Sequence, residues 1–160
     1  MSTGFIKFHV PDDEKLLSAI GVVTLKHEHL NHILKMTIKS IAGLTPSEVF
    51  YALKREGSWS LRNRINKLAR KKLGESETLL KLQAILGRAE RVTDKRNEYI
   101  HSIWAKELDG DPGIMDETGI LKPLPTINEL EQLGDEIEDI TNELNHARLK
   151  GFLAESLNTG

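Results

Sequence analysis

SETLLKLQAILGRAERVTDKRNEYIHSIWAKEL, from Ser76 to Leu108, carries the longest uninterrupted apolar pattern in the chain, and its period decides the fold class. Leu79, Leu82, Leu86, Ala89, Val92, Tyr99, Ile103 and Trp104 recur at helical spacing, which gathers them on one face. The expectation is a single helix that begins near Ser76 and reaches about Leu108.

Working outward, each flank is punctuated by a helix start or stop. Ser58 or Ser60 can cap a shorter basic helix that turns Leu61, Ile65, Leu68 and Leu73 inward and stops at Gly74. Thr45-Pro46-Ser47-Glu48 is a capping box with proline at the first helical position, so a short helix should run to about Arg55 and stop at Gly57. Before it, Asp12 or Asp13 can cap a long helix in which Leu16, Ile20, Val23, Leu30, Leu34, Ile38 and Ile41 form one seam, ended by Gly43. Phe5 to Val10 has the composition of a short strand.

Downstream, residues 109–126 gather Pro112, Pro123 and Pro125 with glycines, and GIMDETGIL within them fits either a small hairpin or a plain loop. Thr126-Ile127-Asn128-Glu129 is a second capping box. After it, Leu130, Leu133, Ile137, Ile140, Leu144 and Ala147 step by threes and fours, the spacing of a seam packed on other helices. All 5 prolines fall outside the helical patterns. The sequence therefore predicts an all-α fold, an up-down helical bundle of about five helices, three of them long, with a small β-hairpin admitted in the 109–126 link. Its 160 residues suit a single domain spanning 1–160.

Composition narrows the class. With 39% hydrophobic and 29% charged residues the chain is neither disordered nor membrane-spanning, and no membrane partner is expected. The absence of cysteine excludes thiol nucleophiles, thiolate zinc and disulfides. The start MSTGFIKFHVPDDE lacks the long apolar run of a secretory signal, so a cytoplasmic location is the expectation. A net charge of −2 hides an uneven distribution. Lys54 to Lys72 is strongly basic, whereas the segment from Ile127 onward is strongly acidic. Such runs either face water, pair with each other, or mark the footprint of a polyanion.

Several chemistries can be set aside. His27 and His32 are five residues apart, about 140° round an ideal helix, so they do not form the common-face pair of a zinc site. His27 also falls on the apolar seam, where a histidine is read as a hydrogen-bonded core residue, and no metal is expected. Asp109-Gly110-Asp111-Pro112-Gly113 begins like a calcium loop but continues with Ile114 and Ile120 where glycine and glutamate are needed. Neither a phosphate-binding Gly-Lys-Ser/Thr loop nor a dinucleotide motif occurs, and no cofactor is expected.

What remains is Arg96-Asn97-Glu98-Tyr99-Ile100-His101. Asn97 and His101 share a helix face, and the long side chain of Arg96 can reach round to them. Imidazole moves protons near neutral pH, guanidinium holds phosphate through paired hydrogen bonds, and asparagine can orient either. The trio suits phosphodiester chemistry. Read blandly, these are polar residues late in a helix, where cations complement the dipole.

RNEYIH resembles the R-polar-x(3)-H signature of the HEPN superfamily, helical domains that include many metal-independent endoribonucleases. The likeness extends to Glu28 and Asn31 in the middle of a long first helix, the motif late in another, and an acidic last helix. It implies a homodimer in which two motif helices line one composite cleft, with Arg96, Asn97 and His101 as the catalytic residues. RNA would be the substrate, cut to 2′,3′-cyclic phosphate and 5′-hydroxyl ends, and Arg62, Arg64, Lys67, Arg70 and Lys71 would guide it by phosphate contacts. A toxin or defence setting with a neutralising protein partner is implied as well. The alternative is a non-catalytic HEPN-like dimeric module that binds nucleic acid, a nucleotide or a protein.

Overall fold

A computed structural model describes residues 5–159. It is mostly helical, with α1 (Glu14–Ala42), α2 (Pro46–Leu53), α3 (Ser58–Leu73), α4 (Glu77–His101), α5 (Ile127–Leu149) and α6 (Phe152–Asn158). Strands β1 (Ile6–Phe8), β2 (Ile103–Glu107), β3 (Pro112–Met115) and β4 (Leu121–Pro123) form one antiparallel sheet in the order β1-β2-β3-β4.

The helix ends follow from local chemistry. Asp13 accepts from the Leu16 N–H and opens α1, while Gly43, at φ 67°, closes it in the left-handed conformation that glycine adopts without strain. Both capping boxes form, Thr45 with Glu48 on α2 and Thr126 with Glu129 on α5. Ser76 caps α4. The α3 expectation is corrected: its N-cap is Gly57, and no side chain caps it. Ser58 Oγ instead donates to Asn31 Oδ1, and Ser60 Oγ donates to Glu56 Oε2, so both hydroxyls are engaged elsewhere.

α1 lies against α5 and α3, and α4 packs on α3 and α5. Leu30 and Leu34 of α1, Ile65 of α3, Leu82 of α4 and Ile137, Ile140 and Leu144 of α5 are wholly buried. Burying each stabilises the fold by roughly 1.5–3 kcal/mol relative to exposure. The acidic residues of α5 do not meet basic α3. Asp135 and Glu138 pair with Lys26 on α1, and Glu143 pairs with Arg88 on α4.

The all-α expectation is corrected at the end of α4. The helix stops at His101 instead of continuing to about Leu108, and Ser102 is already extended. Two interactions redirect the chain. Trp104 Nε1 donates to the Tyr99 carbonyl at 2.8 Å, satisfying an acceptor that the helix end leaves open. Ile103 to Lys106 pair with Met115 to Pro112, and Ala105 to Glu107 pair with Phe8 to Ile6. The strand at Phe5 to Val10 and the hairpin in the 109–126 link are both present, as β1 and as β3 with β4. Trp104 and Ile114 face the helical core, whereas Ile6, Phe8 and Ile103 lie on the outer face, where Phe8 is 86% exposed. Among the described residues no helix is long and apolar enough to cross a membrane.

Candidate functional site

Three helices meet around a cavity of about 370 Å³ at the C-terminal end of α4. α1 contributes His27 and Asn31, the start of α3 contributes Ser58, Trp59 and Arg62, and α4 contributes Arg96, Asn97 and His101. The three motif residues converge as helical geometry requires. Arg96 Nη1 donates to Asn97 Oδ1 at 3.0 Å and lies 3.5 Å from His101 Nε2, the outer limit at which a neutral imidazole accepts. His101 is the last helical residue and is exposed, so its ring is open to a ligand.

The cavity floor is positively charged and short of acceptors. Arg62 is 6% exposed, and its Nη1 is buried without a hydrogen-bond partner. Arg96 Nε is likewise buried and unpartnered. Neither guanidinium makes an ion pair among the described residues. Glu28, Glu90 and Asp94 also line the cavity, but they are exposed and unpaired with either arginine. Buried donors without acceptors cost about 1–3 kcal/mol each, more when charged, so the arrangement is poised for an anion.

His27 registers the same field. Burial first, then Arg96 and Arg62, push its imidazole down to about 4, which keeps the ring neutral at physiological pH. Its Nε2 lies 3.0 Å from Thr93 Oγ1 and 3.5 Å from Ser58 Oγ. It is a core histidine, as its place on the apolar seam predicted. His32 stacks on Phe50 with ring centroids 5.6 Å apart. No group of three His, Asp or Glu side chains among the described residues is placed to hold a metal ion.

The basic residues of α3 divide. Arg62 turns into the cavity, whereas Arg64, Lys67, Arg70 and Lys71 are exposed. Arg64 pairs with Glu56, and Arg70 lies 3.8 Å from Glu75. Lys67 and Lys71 sit roughly 140° and 180° round the helix from Arg62. Sequence reading took all five as phosphate contacts along one basic helix without distinguishing buried Arg62 from the four exposed residues. It also missed Trp59, His27 and Thr93 as neighbours of the motif. The one signal available was the position of Glu28 and Asn31 in the first helix, and both line the cavity.

No family model matches this chain, and no curated protein or solved structure matches it.

Proposed function

We propose that the protein is a metal-independent endoribonuclease of HEPN type. One observation carries the reading: Arg96, Asn97 and His101 converge at the mouth of a cavity in which Arg62 Nη1 and Arg96 Nε are buried without acceptors. His101 takes the proton of an RNA 2′-hydroxyl as that oxygen attacks the adjacent phosphorus, and the P–O5′ bond breaks as the departing 5′-oxygen takes a proton from water. Arg96 stabilises the charge developing on the phosphoryl oxygens, and Asn97 holds the guanidinium in place. The ends formed are a 2′,3′-cyclic phosphate and a 5′-hydroxyl. The nucleophile belongs to the substrate, so no metal is needed to generate it.

The active form is a homodimer in which two copies of the motif face one cleft. Support comes from the apolar outer face of the sheet: Ile103 is 43% exposed two residues after His101, and Phe8, opposite Ala105 on the same face, is bare. A toxin or defence role, with a neutralising protein partner, rests on the resemblance of RNEYIH alone.

The test is to incubate purified protein with mixed RNA in EDTA beside His101→Ala. Cleavage by wild type and its loss in the variant support the nuclease. Equal cleavage by both assigns the activity to another site or to contamination. RNA binding by both without cleavage turns the assignment to a non-catalytic binding module.

A further inference from the structure

A second, smaller cavity of about 240 Å³ runs between α3 and α4 and shares Trp59, Arg62 and Glu90 with the cavity of the motif. The shared residues set the two cavities side by side along one groove, with buried Arg62 at their junction and exposed Trp59 beside it. Trp59 is 71% exposed, an unusual place for an indole with nothing packed over it. Beyond the junction the groove is lined by amides, including Gln83 and Asn66, and Asn66 Oδ1 is a buried acceptor without a donor.

The start of α3 opens onto the same junction. The first backbone bond of the helix is Leu61 N–H to the Gly57 carbonyl, so the N–H groups of Ser58, Trp59 and Ser60 have no intrahelical acceptor. No side chain caps them, and Gly57, Ser58 and Trp59 line the cavity. A helix N-terminus attracts phosphate through its open N–H groups and its dipole. Here it is joined by Arg62, more than nine-tenths buried with Nη1 unpartnered, and by Arg96 with Nε unpartnered. Three independent sources of positive potential converge on one space.

We infer that this groove is the track of a single RNA strand. One phosphate sits at the junction between Arg62, Arg96 and the start of α3, within reach of His101. The adjacent nucleotide stacks its base on Trp59 and extends its edge toward Asn66 and Gln83. Stacking on an exposed aromatic accepts any base, whereas an unpaired amide oxygen favours a base edge that offers an N–H. Arg62 is thus a second phosphate-binding residue, contributed by α3 rather than by the motif helix. The inference rests on the nuclease reading for the identity of the strand, and its test is separable from that reading.

Tryptophan fluorescence supplies the test. A 2′-O-methylated hexanucleotide, which cannot be cut through its 2′-oxygen, is titrated into wild type, Trp59→Phe, Trp59→Ala and Arg62→Met, each checked by circular dichroism. Wild-type fluorescence should fall saturably, and the fall should vanish in Trp59→Phe. Trp59→Ala should weaken affinity by about tenfold to a hundredfold, and the same oligomer with abasic positions should bind wild type correspondingly less well. Arg62→Met should weaken affinity and flatten its salt dependence. Should Arg62→Met fail to fold, the Trp59 arms decide. Saturable quenching without any RNA cleavage keeps the groove and removes the nuclease. Cleavage that depends on His101, with Trp59 fluorescence unmoved and Trp59→Ala binding as wild type, keeps the nuclease and overturns the groove. No binding of the oligomer together with no cleavage of RNA overturns both.

Discussion

His27 Nε2 lies 3.0 Å from Thr93 Oγ1, a buried contact that joins α1 to α4 directly beneath the two arginines of the cavity. Because the ring must be neutral there, this contact couples folding to pH. The native imidazole titrates at about 4 against an ordinary 6.5, so between those values the unfolded chain binds a proton that the native chain does not. Stability from this group is complete above about pH 6.5 and is lost as pH falls toward 4, on the order of 3 kcal/mol in all. Urea unfolding at pH 7 and at pH 4.5 should show the loss in wild type. His27→Gln, which has nothing to protonate, should lose less over the same interval. Equal losses in the two proteins would show that His27 is not held neutral.

At the motif, the proton-moving and phosphate-holding roles proposed for His101 and Arg96 should have different signatures when each side chain is removed. His101→Ala should slow single-turnover RNA cleavage by about 10²- to 10⁴-fold while leaving RNA affinity nearly intact. Arg96→Ala should impair both rate and affinity. His101 is exposed, so its removal should change stability by no more than about 0.5 kcal/mol. A parallel loss of rate and affinity in His101→Ala would sink the assigned division of labour.

Assembly is checked by light scattering. The protein should scatter as twice its 18.0 kDa chain mass at micromolar concentration. Phe8→Arg, which places a charge on the bare outer face of the sheet, should shift it toward monomer without altering its circular dichroism. A wild type that stays monomeric as concentration rises contradicts the composite cleft.

The hairpin carries its own test at Gly113. A Cβ added there would meet the Lys122 carbonyl at 2.3 Å and Leu121 Cγ at 2.9 Å. Backbone cannot yield cheaply at the first contact, so Gly113→Ala should cost roughly 1–3 kcal/mol. Gly21→Ala, with open space around the added methyl, is the control and should be neutral or slightly stabilising in the same thermal melt.

The helices were legible because their signals are local. A capping box spans four residues, and the seam of α5 repeats over one face, so Thr126, Glu129 and the run from Leu130 to Ala147 could be read without knowing any partner. The end of α4 was not legible. Tyr99, Ile103 and Trp104 fit a helical seam, yet Ile103 and Trp104 belong to a strand whose partners are Pro112–Met115 on one side and Ile6–Phe8, far away in sequence, on the other, and the strand is fixed only when β1 and β3 are both in place. Arg96, Asn97 and His101 could be grouped because one helix carries them all. Arg62 could not, since a charge run gives no sign of which member points inward until α1 and α4 are packed beside it.

A single residue, Ser102, separates His101 from β2, and β2 is clasped between β1 and β3. Helix termini ordinarily fray, but this one is moored to a sheet whose outermost strand comes from the opposite end of the sequence. The hydrogen bond from His9 N–H to the Trp104 carbonyl extends that mooring beyond β1. A protein shortened to begin at α1 would retain its helical seams while its histidine swung on a loosened hinge. Fusion partners and affinity tags therefore belong after α6, away from the strand that steadies the imidazole.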